Sequence, residues 1–233
     1  MWRHAGWTRT TAWAALIMAA LLTAGGSAQA HYVWLQRDGD AAARAYFGEF
    51  GEDLREKSGG VLDRIAAPRA FLTDPAAGLR IERRADHLEI AAVAAGDLRF
   101  VEAAMAPRED RRAGGKTKTV FYAREGRSEP RAHLDLELVP VTPHGNVFTL
   151  LLRGAPVAKT EVKVFGPPRW EKGFRTDEQG RVTIATPWRG RYVVEAVHLE
   201  ERPGGTGADA HDRLRHVATL SFVADQGIGW NEK

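Results

Sequence analysis

The chemistry this chain can offer a metal ion is concentrated in its histidines, and His31 offers the most. It follows Ala28-Gln29-Ala30, a small-residue A-x-A site that closes a leader of 30 residues. Cleavage after Ala30 makes His31 the first residue of the mature chain. A first-position histidine presents two nitrogens, the free α-amine and the imidazole Nδ1, which close a small chelate ring. Both are borderline donors suited to nickel, cobalt, copper or zinc. The chain contains 0 cysteines, so thiolates and disulfides are excluded. Any metal site must be built from histidine, carboxylates or the terminus.

The other histidines are His4, His87, His133, His144, His198, His211 and His216. His4 leaves with the leader. His87 and His133 stand beside predicted strands without a partner motif. His144 sits in a Pro-His-Gly turn. His198 ends the run YVVEAVHLE, and His216 opens the run RHVATL. An antiparallel pair flanking the glycine-rich stretch 202–212 brings these two together, with His211 inside the loop. His31, His198 and His216 are therefore the candidate metal ligands, on the condition that the first strand reaches that edge. Glu49, Glu52, Glu195 and Glu200 are candidate carboxylate ligands or acceptors that fix a histidine tautomer. Glu195 and His198 are three apart, so a regular strand points them to opposite faces. Trp34, Trp170 and Trp188 are read as core or interface packing, with an aromatic sugar-binding face as the alternative. No catalytic arrangement stands out. There is no G-x-S-x-G elbow, no H-E-x-x-H and no strand-to-helix phosphate loop.

Around these residues the sequence specifies export and a β-rich fold. Residues 1–10 carry Arg3 and Arg9, residues 11–22 are apolar, and residues 23–30 are small and polar. These are the three parts of a secretory signal peptide. No later stretch approaches the roughly 20 apolar residues of a membrane-spanning helix, so the expected location is the periplasm. Removing the leader lowers the formal charge from +3 to +1. The remaining arginines are interleaved with acids, which argues against a nucleic-acid partner. Short alternating or β-branched runs separated by Gly, Pro and Asp predict eleven strands: 32–35, 43–47, 88–93, 98–103, 117–122, 134–139, 147–152, 161–165, 181–185, 192–196 and 217–223. One short helix is expected over 55–65. The segment Val139 to Gly145 breaks the pattern with two prolines and a glycine. The division is then residues 1–30 as signal peptide, 31–139 as an N-terminal β-domain and 140–233 as a C-terminal sandwich. The fold class is all-β, with two β-sandwich modules.

The order Gly154-Ala155-Pro156-Val157, Thr176-Asp177-Glu178-Gln179-Gly180 and Pro187-Trp188-Arg189-Gly190-Arg191-Tyr192 resembles the transthyretin-like or carboxypeptidase-regulatory-like sandwich, an immunoglobulin-type module. Over nearly the whole mature chain, His31-Tyr32-Val33-Trp34-Leu35, Tyr46-Phe47-Gly48-Glu49-Phe50, Phe165-Gly166-Pro167-Pro168, Glu195-Ala196-Val197-His198 and Arg215-His216-Val217-Ala218 resemble a periplasmic family of unknown function. That family is grouped with the periplasmic component of cobalt and nickel uptake systems. The resemblance implies a non-enzymatic, metal-associated periplasmic protein that assists a membrane metal transporter, with His31, His198 and His216 as the matching positions. A terminal histidine plus a second histidine also describes the copper brace of oxidative enzymes. A metal-free structural or interaction module is the third reading. The expected ligand is thus a divalent transition metal, nickel, cobalt or copper.

Overall fold

The computed structural model describes residues 31–39, 41–91, 95–111 and 113–229. The expected leader lies outside the described residues, as do the last residues of the strand expected over 88–93. In the first half the strands are β1 (Tyr32–Gln36), β2 (Ala43–Glu49), β3 (Leu54–Arg55), β4 (Arg69–Phe71), β5 (Ile81–Arg83), β6 (Leu88–Ile90), β7 (Leu98–Glu102), β8 (Arg108–Glu109) and β9 (Lys116–Glu125). In the second half they are β10 (Leu136–Pro140), β11 (Val147–Leu152), β12 (Ala155–Pro156), β13 (Glu161–Gly166), β14 (Trp170–Arg175), β15 (Arg181–Thr183), β16 (Gly190–Glu200) and β17 (Arg213–Ala224).

The fold is an all-β sandwich. Its centre is an eight-stranded sheet in the order β14-β13-β16-β17-β9-β7-β4, with β8 added on β9. This sheet crosses the 139/140 division, because β17 pairs in parallel with β9 from Arg213↔Thr117 to Ser221↔Glu125. Alternation along each strand feeds both of its faces. In β17, Leu214, Ala218, Leu220 and Phe222 join one core and Val217 the other. In β9, Val120 and Tyr122 join the first of these and Phe121 and Ala123 the second. A sheet covered on both faces reads as near-continuous apolar runs, which is how Tyr192–Ala196 and Val217–Ala224 read in the sequence.

Two smaller sheets supply the covers. One has the order β1-β2-β6-β5 with β3 on β2, and packs Trp34, Tyr46 and Phe47 against Phe121, Phe165 and Val217. Thr219 Oγ1 donates to the Val33 carbonyl at 2.6 Å, which pins β1 over β17. The other has the order β10-β11-β12 with β15 on β11, and packs Leu138, Phe148, Leu150 and Val182 against Tyr192, Leu220 and Phe222. There are thus two cores, as two sandwiches require, with one sheet common to both. The segment 139–145 turns β10 into β11 within the second cover sheet, where Pro140 faces Phe148. The helix expected over 55–65 is a single 3-10 turn at Val61–Arg64. Gly59 and Gly60 precede it, and their conformational freedom prevents an α-helix from starting earlier.

A buried polar cluster ties the central sheet to the second cover. Arg99 and Arg124 are fully buried, and both donate to Glu137 Oε1 on β10, at 3.0 and 2.8 Å. Arg124 also bonds Asp97. The cluster is closed on itself, as buried charges must be.

Candidate metal centre

His31 stands immediately before β1, over the first core. Its ring packs on Phe47 with centroids 5.2 Å apart. Two carboxylates meet it, and both are delivered by the β2–β3 hairpin. Glu49 ends β2 opposite Leu54, and Glu56 follows β3, with its backbone N–H donating to the Phe47 carbonyl at 2.8 Å. The hairpin closes through a tight turn in which the Asp53 N–H donates to the Phe50 carbonyl at 3.1 Å. Gly48 makes this possible. It has φ +147°, and a Cβ there would lie 2.1 Å from the Leu54 carbonyl oxygen, so no other residue fits without moving the strand.

The two carboxylates meet different ring nitrogens. Glu56 Oε1 lies 2.5 Å from His31 Nε2. A carboxylate there accepts a hydrogen bond from Nε2–H and so leaves Nδ1 with its lone pair free. Glu49 Oε1 lies 3.7 Å from Nδ1. That oxygen is buried and accepts no hydrogen bond from any described residue. The separation is too long for a hydrogen bond and fits within the roughly 4 Å that two metal–ligand bonds of about 2 Å can span. Buried carboxylate oxygens are ordinarily satisfied, and Glu49 Oε1 is one of five buried side-chain atoms among the described residues that have no hydrogen-bond partner.

Further charges gather on the same face of the central sheet. Burial pushes Glu195 up to about 7, against the pull of Lys163 and Arg215 and with added repulsion from Glu49. Burial also lowers the pKa of Arg215, against the attraction of Glu195. Tyr32 stacks on Phe165 and accepts the Phe50 N–H at 2.8 Å. A cleft of about 460 Å³ opens beside His31, with Phe47 and Phe121 in its walls.

His198 and His216 are brought together as the sequence predicts, since they face one another in the β16–β17 register. Their ring centroids are 6.4 Å apart. They do not meet His31. His216 alternates with Ala218 and Leu220 and so faces the second core, whereas His31 shares its cleft with Phe121 and Arg215 from the opposite face. The first strand does reach β17, but from the other layer, and the central sheet lies between. Among the described residues, no group of three or more His, Cys, Asp or Glu is arranged to hold a metal ion.

His216 is instead saturated. Its Nδ1 meets the Tyr122 hydroxyl at 3.1 Å and its Nε2 meets Glu200 Oε2 at 2.8 Å. Burial lowers its pKa, and Glu200 only partly offsets this. Glu200 is held in turn by Arg153. Glu195 and His198 point to opposite faces, as their spacing predicts. His87 pairs with Asp86, His133 with Glu129, and His211 Nδ1 with the Asp209 carbonyl. His144 takes φ +60° in its turn. Trp34 is buried, and Trp170 packs half-buried against Trp188. Glu56 was not among the sequence candidates. Only its place one residue past the strand that pairs with Gly48-Glu49 marks it.

The family model described as Domain of unknown function (DUF4198) matches residues 28–200. The chain belongs to the DUF4198 family. No curated protein and no solved structure matches it. The DUF4198 match opens three residues before His31 and includes Glu49, Glu56, Glu195 and His198, while His216 and the rest of β17 lie beyond its end.

Proposed function

We propose that the mature protein binds a divalent transition metal, nickel or cobalt, at an N-terminal His31, outside the cytoplasm, and assists its uptake by a membrane transporter. The observation that carries this reading is the buried Glu49 Oε1, which accepts no hydrogen bond from any described residue and faces Nδ1 of a histidine whose Nε2 is already engaged by Glu56. Cleavage after Ala30 would add the α-amine, so that His31 chelates through two nitrogens and Glu49 adds an oxygen. Glu56 is the positioning residue that holds the tautomer. The donor set is two borderline nitrogens and a carboxylate, which suits Ni²⁺ and Co²⁺. The transporter enters from the resemblance to the cobalt and nickel uptake group. His198 and His216 play a structural part in this reading. A copper brace needs a second imidazole at the metal, and the two best-placed ones lie across the sheet.

The test is a Ni²⁺ titration of the exported protein and its variants. His31→Ala and Glu49→Gln weaken binding, and His198→Ala leaves it unchanged. Equal affinity in all of them refutes the site. Because the amine and imidazole bind only when neutral, acidification to about pH 5 releases the metal.

A further inference from the structure

The cleft beside His31 has an unbalanced lining. Three arginines line it, Arg64, Arg108 and Arg215, together with the hydroxyl-bearing Thr117 and Thr119. No acidic side chain lines it. None of the three arginines is within ion-pair distance of a carboxylate among the described residues, although eleven other described arginines are. Arg64 and Arg108 are exposed, whereas Arg215 is half-buried, with Glu195 only as a distant attraction. The cleft therefore carries an excess of positive charge beside a metal site whose own carboxylates, Glu49 and Glu56, do not line it. An anion between the arginines balances that charge.

We infer that this cleft binds a small polycarboxylate, and that the metal is taken up as its complex with that anion; this rests on the metal reading given above. The planar fork of a guanidinium matches a carboxylate through two parallel hydrogen bonds, and the threonine hydroxyls can donate to a third oxygen. Three guanidiniums balance a trianion, which chelates a divalent metal through its own oxygens. The cleft's volume, about 460 Å³, falls within the roughly 300–1,000 Å³ of small-molecule sites. His31 and Glu49 then supply the protein's ligands, the polycarboxylate supplies others, and the arginines select the complex over the free ion.

The probe is radiolabelled citrate, dialysed to equilibrium against the exported protein with and without equimolar Ni²⁺. The expected result is citrate held at least about 10-fold more tightly with Ni²⁺ than without. The double variant Arg64→Gln, Arg108→Gln loses at least about 10-fold of that affinity, the size of one charged hydrogen bond. Both side chains are exposed, so the fold is not at stake, and the variant's binding of Ni²⁺ alone verifies this. Ni²⁺ bound with no citrate retained overturns the inference and leaves the metal site standing. Citrate retained equally with and without Ni²⁺, undiminished in the double variant, or displaced by equimolar inorganic phosphate also overturns it. Failure to bind Ni²⁺ at all overturns the metal reading and this inference with it.

Discussion

The two faces of the central sheet treat histidine in opposite ways. On the second-core face, His216 has both ring nitrogens engaged, by Tyr122 and Glu200, and Glu200 is itself held by Arg153. On the first-core face, His31 has one nitrogen fixed by Glu56, while its other nitrogen faces a buried oxygen that no described residue satisfies. Beside it stand arginines with no carboxylate within ion-pair distance among the described residues, and a glutamate pushed up to about 7 by burial. The same side chain is scaffold where its hydrogen-bonding capacity is used up and a candidate site where that capacity is left open. Proximity of two histidines, which is what β16 and β17 provide, is not by itself a site.

Substitutions on each face sharpen this contrast. The largest effect is expected at His31. His31→Ala should weaken Ni²⁺ by more than about 100-fold, beyond the roughly 10–100-fold typical of losing a positioning residue, with thermal stability nearly unchanged. His216→Ala should do the reverse. It leaves Ni²⁺ affinity within about twofold and costs about 2 kcal/mol of stability, because Tyr122 and Glu200 lose a buried partner. That corresponds to a melting temperature lower by about 4–8 °C, read by circular dichroism.

Glu195→Gln probes the strained charge on the His31 face. Unfolded, this carboxyl ionises near 4.5; folded, near 7. Between those values the folded chain holds a proton that the unfolded chain has released. Above pH 7 both are ionised, and the folded state carries the full desolvation penalty. The variant should therefore melt about 7–14 °C higher than wild type at pH 8, and the difference should vanish as the pH falls towards 4.5. A pH-independent difference contradicts this. Glu56→Gln should reduce Ni²⁺ affinity about 10-fold by loosening the tautomer. His198→Ala is the smallest change, within about 0.5 kcal/mol in stability and silent for metal.

Much of the scaffold was readable because it is local. The near-continuous apolar, β-branched runs YVVEAV and HVATLSF identified β16 and β17 and brought His198 close to His216. The relation of His31 to that pair was not readable. It depends on β17 lying in parallel beside β9, nearly a hundred residues earlier in the chain, and no local pattern specifies which face of that pairing a third strand will cover. Glu49 could be nominated from its place in FGEFGED, but Glu56 depends on the turn that Gly48 and Asp53 close. The polar run WEKGFR showed no strand pattern because β14 is an edge strand with little to bury.

The most direct measurement is the native mass of the exported protein with added Ni²⁺, taken before and after acetylation of its α-amine. The expected result is a chain of residues 31–233 carrying a single Ni²⁺ that acetylation removes. A chain beginning at any other residue, a bound Ni²⁺ that survives acetylation, or no bound Ni²⁺ at all contradicts the assignment of the site to His31.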